Sequence, residues 1–409
     1  MNFRQRFALR LVALLMLMFD WQLGTCVAQP SGFQKLEIGA LAPDFKLPGV
    51  DDKDYQLNDF GDAKVLMVVF TCNHCPTAQA YEKRMNQMYT DYSNQGVAVV
   101  AISPNDALAV RLDELGYSDL GDSLDDMKIR AKDAGFKFPY LYDGETQATS
   151  LQFGVLATPH VFIFDESRKL RYKGRIDDSE VGEVQSHDAR NAIDALLAGK
   201  PVPVETTRVF GCSTKWSDKR DSAKKAREKW DQEPVELSLL SEDELPKLAR
   251  NETEKYRLVT VWATWCTECV AELTEFVTIN RMYRKRDFET ITISADFTDA
   301  RDAALETLKE SKVACTNYLF DSDDRDKLFD GLDPKWEGAL PYTVLIAPGG
   351  EIVYRQHGPI NPQELKRELA NRLGRTYAVE KVEEKKAKRA KQAEDKKPAE
   401  QKIRKGNSE

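Results

Sequence analysis

No unbroken apolar run in this 409-residue chain is longer than nine residues, far short of the roughly 20 that a bilayer-spanning helix requires. Cysteine is scarce too. There are seven, whereas a disulfide-stapled secreted domain carries them densely through a short chain. Four of the seven form two tight pairs, Cys72/Cys75 and Cys266/Cys269, a grouping that points to sulfur chemistry rather than stapling. With two thiolates and one histidine, His74 or His160, at hand, a closed four-ligand metal site at Cys72/Cys75 is hard to assemble. Positive charge is missing from the body of the chain. The net charge is −8, residues 380–409 hold 11 Lys/Arg against 7 Asp/Glu, and Arg4, Arg6 and Arg10 face only Asp20 in the first 28, so 29–379 stands near −14. A body that acidic argues against nucleic acid as its main partner.

What is present begins with a leader. Arg4, Arg6 and Arg10 form a basic start, 11–19 is the nine-residue apolar run, and Cys26-Val27-Ala28 ends it with small residues. This is the pattern of a secretory signal cut after Ala28. An imperfect lipobox, Leu23-Gly24-Thr25-Cys26, is the alternative, and a lipidated Cys26 would anchor the protein to a membrane. Either way the expected location is secreted, periplasmic or in the cell envelope.

Each cysteine pair follows a hydrophobic strand and opens a helix: Val65-Leu-Met-Val-Val-Phe-Thr-Cys-Asn-His-Cys-Pro76 and Leu258-Val-Thr-Val-Trp-Ala-Thr-Trp-Cys-Thr-Glu-Cys269. A cysteine at a helix start faces unpaired N–H groups and the positive end of the dipole, which favour thiolate over thiol. A second cysteine one turn on is placed to close a disulfide. Around these motifs the first half reads as strand 65–70, helix 75–92, strand 97–103, helix 124–135, strands 160–164 and 170–173, and helix 187–198. The second half repeats the order with strand 256–263, helix 266–283, strand 288–296, helix 300–311, strands 342–346 and 352–355, and a helix from Pro362 to about 373. Strands alternating with helices imply an α/β fold of two domains, 39–200 and 235–375, each a mixed sheet flanked by helices on both faces. Between them 201–234 reads as a charged linker containing Cys212, with Trp216 and Trp230 docking on a neighbouring domain. The stretch 376–409 is rich in Lys, Glu and Ala, and its composition predicts a disordered tail or solvated helix.

The chain resembles tandem thioredoxin-like proteins. Ala42-Pro-Asp-Phe45, Cys72-Asn-His-Cys-Pro76 and Ala157-Thr-Pro-His160 are similar to the redoxin branch related to alkyl hydroperoxide reductase. Trp262-Ala-Thr-Trp-Cys-Thr-Glu-Cys269 with Glu272, and Ala339-Leu-Pro341, resemble TlpA-like extracytoplasmic thiol-disulfide oxidoreductases. The resemblance implies that Cys72 and Cys266 are exposed attacking thiols and that Cys75 and Cys269 are buried resolving thiols. It implies that Thr158-Pro159 and Leu340-Pro341 are cis-proline loops presenting backbone to a client, and that Glu272 takes the Cys269 proton. It implies no cofactor beyond the redox-active disulfides and no bound metal. The implied partners are cysteine-containing envelope proteins and a membrane or periplasmic dithiol donor.

Departures from the pattern carry expectations of their own. Leu66 and Thr260 stand where thioredoxins keep a buried Asp, and Thr71 where they keep Trp. His74 beside Cys75 is expected to stabilise the Cys72 thiolate, and Glu268 to raise the Cys266 pKa, making site one the more oxidising, with Trp265 a further modulating residue. Val69 fills the position where peroxiredoxins place a Thr three residues before their cysteine, so peroxidase activity is not expected. Cys212, in Phe210-Gly-Cys-Ser-Thr-Lys-Trp216, is a candidate third thiol against a plainer reading as an unpaired cysteine. Cys315 reads as core packing, and His187 and His357 as structural or solvated. Asn251-Glu-Thr253 fits a glycosylation sequon at near-chance frequency. The competing class is a binding module, an envelope copper chaperone using the thiolates with His74 or His160, or an inert docking scaffold.

Overall fold

The computed structural model describes residues 29–379. The leader, Ala28, Cys26 and residues 380–409 lie outside them. No helix among the described residues is long and apolar enough to cross a membrane.

The first domain is built on β1 (Val65–Phe70), whose six residues are all buried because helices cover both faces of the sheet. Side chains alternate along it. Val65, Met67 and Val69 join Tyr81, Met85 and Met88 of α1 (Pro76–Tyr92) in one cluster, while Leu66, Val68 and Phe70 join Phe153 and Phe162 in another. β2 (Val97–Ser103) runs parallel beside β1, and after α2 (Leu124–Ala134) the short β3 (Tyr140–Tyr142) extends that side. A two-residue strand, β4 (Ala157–Thr158), precedes the proline. Then β5 (His160–Phe164) pairs antiparallel with β1, β6 (Leu170–Gly174) pairs with β5, and α3 (Asp188–Leu197) closes the unit. The sheet order is β3-β2-β1-β5-β6.

The segment expected to be a linker is structured at both ends. β7 (Cys212–Ser213) pairs antiparallel with β4, and Trp216 is buried edge-on to Phe33 in the first domain's core. α4 (Arg220–Trp230) follows, tied back to domain one through Arg220 and Asp106, while Arg284 of domain two lies over the Trp230 ring.

The second domain opens with β8 (Ser238–Leu240) and α5 (Leu245–Arg250), then repeats the plan: β9 (Tyr256–Trp262), α6 (Thr267–Tyr283), β10 (Phe288–Ser294), α7 (Arg301–Glu310), β11 (Thr316–Phe320), α8 (Arg325–Leu332), β12 (Tyr342–Ile346), β13 (Ile352–His357) and α9 (Pro362–Leu373). Its sheet order is β8-β11-β10-β9-β12-β13, so five of its six strands repeat the sheet of domain one and β8 is added at the edge.

The domains pack directly. Leu112 and Leu115 of the first enter the apolar cluster of Ile279, Met282, Tyr283 and Leu369 in the second. Tyr283 Oη lies 3.0 Å from Ser118 O, Arg286 donates to Gly116 O, and buried Asp119 accepts from Arg375 at 2.5 Å and from Gln363 at 3.1 Å. The start of the expected tail is part of this contact, with Tyr377 packed edge-on against Tyr117 at 5.1 Å.

Candidate functional site

Two dithiol sites are present, and their geometries differ. In domain two, β9 delivers the chain to Cys266, which caps α6, its Sγ accepting from the Cys269 amide at 3.3 Å. Cys266 and Cys269 are joined as a disulfide. Cys266 is partly exposed beside Trp265, which is 71% exposed, whereas Cys269 is fully buried. The Leu340–Pro341 bond is cis, and Leu340 shares an apolar cluster with both cysteines. Glu272 lies one turn beyond Cys269 on the same helix face. Burial pushes its carboxyl up to about 7, despite the Ile360 amide donating to Oε2 at 3.0 Å. Its Oε1 is buried without a hydrogen-bond partner among the described residues. A protonatable carboxyl thus stands near the buried sulfur with one oxygen uncommitted.

Site one starts its helix three residues later. Pro76 takes the first helical position of α1, where its missing N–H costs nothing, and it forces Cys75 into an extended conformation. Cys75, not Cys72, is therefore the helix-capping cysteine. Domain two has Val270 where Pro76 stands, so its helix begins directly after the first cysteine. The expectation of an exposed, readily ionised Cys72 is overturned. Cys72 is 3% exposed, its Sγ 3.1 Å from Thr158 Oγ1. Burial, the neighbouring Cys75 and the Asp122 charge all raise its pKa. Burial also opposes ionisation of Cys75, but the Cys212 and Cys72 thiols and the charge of His74 outweigh it, holding Cys75 well below the ordinary thiol value. The site's thiolate belongs on the second cysteine.

His74 is not free to serve Cys72 as expected. Its Nδ1 lies 2.5 Å from Asp122 Oδ2, with both residues buried. Burial disfavours the imidazolium, yet Asp122 outweighs it and raises the His74 pKa; His74 in turn holds Asp122 below the carboxylate range against its own burial. The carboxylate also accepts from the Asn73 and His74 amides at Oδ1 and from Asn105 at Oδ2, so one acid fixes the whole Cys-Asn-His-Cys turn. Sequence reasoning missed Asp122. Its signal is faint, an acid immediately before Ser123, the N-cap of α2.

The Thr158–Pro159 bond is cis, and Thr158 O lies 3.3 Å from Cys75 Sγ. The edge of this loop, expected to be open to a client, is taken by β7, where Thr158 stands opposite Cys212. Cys212 packs against the Cys72–Cys75 cluster.

Ligand atoms of Cys72, His74 and Asp122 lie within 4.8 Å of one another. A metal there would have to displace hydrogen bonds that occupy both Asp122 oxygens. Cys315 packs beside the Cys266–Cys269 cluster with its thiol pushed up to about 12 by burial, and it stays protonated. Asn251 is buried with Nδ2 donating to Lys255 O and Ala347 O, which removes it as a glycosylation acceptor in the folded chain.

The AhpC/TSA family profile matches residues 38–173 and 234–355. Thiol-disulfide oxidoreductase ResA of Geobacillus thermodenitrificans is 25% identical over 175 residues, 42% of this chain and 88% of that protein. A protein of Helicobacter pylori named as a peroxiredoxin, bcp, is 31% identical over 74 residues, 18% of this chain; the chain spans about half (49%) of that relative's length. The crystal structure of a hypothetical protein of Sinorhizobium meliloti is 34% identical, covering 45% of this chain and 97% of its own, with a TM-score of 0.41. The two matched stretches together exceed half the sequence, and the chain belongs to the AhpC/TSA family, as two tandem thioredoxin-like domains.

Proposed function

We propose that the protein is an extracytoplasmic thiol-disulfide oxidoreductase with two dithiol sites, of which the Cys266/Cys269 pair is the one that meets clients. The observation that carries this reading is the asymmetry at the second site: a partly exposed Cys266 under a largely exposed Trp265, a fully buried Cys269, and Glu272 with a pKa of about 7 one turn away. In the reduced enzyme the Cys266 thiolate attacks a client disulfide and a mixed disulfide forms. Cys269 then gives its proton to Glu272, attacks Cys266, and releases the client as a dithiol. The ResA likeness supports the reaction class, and the leader pattern supports the compartment.

Site one, buried and covered, suits an internal exchange partner better than a client-facing one, and it supplies or accepts the electron pair. The clients would be cysteine-containing envelope proteins and the external donor a dithiol of the same compartment. A dithiothreitol-driven insulin reduction assay tests the reading: turnover should survive Cys72→Ser and disappear in Cys266→Ser. Peroxidase chemistry is the neighbouring activity, prompted by the likeness to bcp. Hydrogen peroxide consumption by the reduced chain, measured alongside, separates the two.

A further inference from the structure

Site one holds three sulfurs, not two, and the third arrives on a strand that sits where a client would. We propose that Cys212 is a redox thiol of site one, exchanging with the Cys72–Cys75 disulfide to form a Cys75–Cys212 disulfide that locks β7 over the site. This rests on the reading of site one as a redox dithiol.

The placement of β7 is built into the sequence. Thr158, the residue before the cis-proline, pairs with Cys212, and Ala157 pairs with Ser213. A free strand edge is a place where an extended peptide chain can add as a strand, with main-chain hydrogen bonds giving affinity. Here the chain's own 212–213 takes the position. Gly211 makes the approach achievable: a Cβ there would stand 2.0 Å from Thr158 O, and its φ of +139° is one that side chains rarely adopt. Past the strand, Lys215 N donates to Asn105 Oδ1 at 2.8 Å, Asn105 donates to Asp122, and Trp216 is buried. The strand is thus clamped by the same carboxylate that shapes the cysteine turn.

The sulfurs are arranged around Cys75. Cys212 packs on the Cys72–Cys75–Ala78 cluster, and the Cys72 and Cys212 thiols both favour a thiolate on Cys75. Each flanking thiol is thereby placed to share a bond with the same central atom. The exchange is balanced without any outside oxidant. It begins from the Cys72–Cys75 disulfide, which site one acquires when its dithiol passes an electron pair to another disulfide. Cys212 loses its proton and attacks Cys75 Sγ; the Cys75–Cys212 bond forms, the Cys72–Cys75 bond breaks, and Cys72 leaves as a thiolate that takes up a proton. One disulfide is consumed, one is made, and the oxidation level does not change. The product ties β7 to the start of α1 and leaves Cys72 reduced beneath Thr158.

The test uses the full chain equilibrated across a glutathione redox series, quenched by alkylation and mapped by mass spectrometry. Cys72→Ser should yield the Cys75-bearing peptide joined to the Cys212-bearing peptide, and the double variant Cys72→Ser/Cys212→Ser should yield neither. In the unmutated chain, Cys212 should be alkylated about tenfold more slowly when oxidised than when reduced, since a disulfide sulfur is not the nucleophile. The proposal is overturned if Cys72→Ser leaves Cys212 fully alkylated throughout while Cys75 carries glutathione. A Cys212→Ser chain that still forms Cys72–Cys75 would then confine the failure to the third thiol. If Cys212→Ser forms no Cys72–Cys75 bond at any potential, the dithiol reading of site one falls with it.

Discussion

Cys75 and Cys266 occupy the same structural point in their domains: each is the extended residue immediately before the first residue of the helix that follows the central strand. One is the second cysteine of its motif and the other is the first. The three-residue offset follows from Pro76, and it moves the favoured thiolate from the leading to the trailing sulfur in site one.

The offset predicts the order of the two redox potentials. Stabilising a thiolate stabilises the reduced dithiol and makes the disulfide more oxidising. Cys75 is held well below the ordinary thiol value by two neighbouring thiols and His74. Glutathione titration of the full chain with Cys266 and Cys269 both changed to Ser, against the chain with Cys72 and Cys75 changed, should therefore find site one more oxidising by at least about 30 mV, a tenfold difference in the exchange constant. A more reducing site one would remove the basis for the assignment.

At site two the prediction concerns pH. Burial raises the Glu272 carboxyl to about 7. Stability linked to its neutral form is fully present below the ordinary carboxyl value and is lost as pH rises through about 7. Glu272→Gln should flatten that slope, so the variant gains thermal stability relative to the parent at pH 8 and not at pH 5. Release of the mixed disulfide at pH 7 should slow by about a hundredfold, the lower range for general acid–base assistance. Single-turnover kinetics and melting curves across pH 5–8 check both halves.

Gly211→Ala tests the cover over site one. The added methyl would meet Thr158 O at 2.0 Å, so β7 must lift from β4. Alkylation of Cys72 and Cys75 in the reduced variant should accelerate by about tenfold or more, as buried sulfurs become accessible. Unchanged protection would mean that β7 does not limit access.

Asp119 anchors the interface between the domains. Burial opposes its ionisation, but Arg375 and its hydrogen bond outweigh that and lower its pKa. The stabilisation is present above the ordinary carboxyl value and is lost as pH falls through the depressed one. Asp119→Ala should cost about 3–5 kcal/mol, as removing one partner of a buried charged pair does, and let the two domains unfold in separate transitions. Calorimetry reads both outcomes.

Much of this was legible in the sequence. The strand–cysteine–helix units and the docking of Trp216 follow from alternation, spacing and burial of large apolar groups, and the two cis-prolines from the family resemblance. Three features were not. Asp122 lies in a polar stretch whose spacing carries no periodic signal, and only the folded chain brings it beneath Cys72–Cys75. The meeting of Cys212 with Cys75 is a long-range strand pairing, invisible to local pattern. Tyr377, in a segment read by composition as disordered, is held by Tyr117 and by the Arg375–Asp119 contact beside it. The helix offset was missed as well, although Pro76 carries its signal: the residue before a proline avoids helical geometry, so Cys75 and not Cys72 precedes the helix.

The most direct test of the whole account is insulin disulfide reduction by the full chain at pH 7, with dithiothreitol as electron source and the Cys266→Ser variant beside it. The account predicts turnover well above the reductant alone, abolished in the variant. A rate equal to the reductant alone, or one that the substitution leaves untouched, would contradict it.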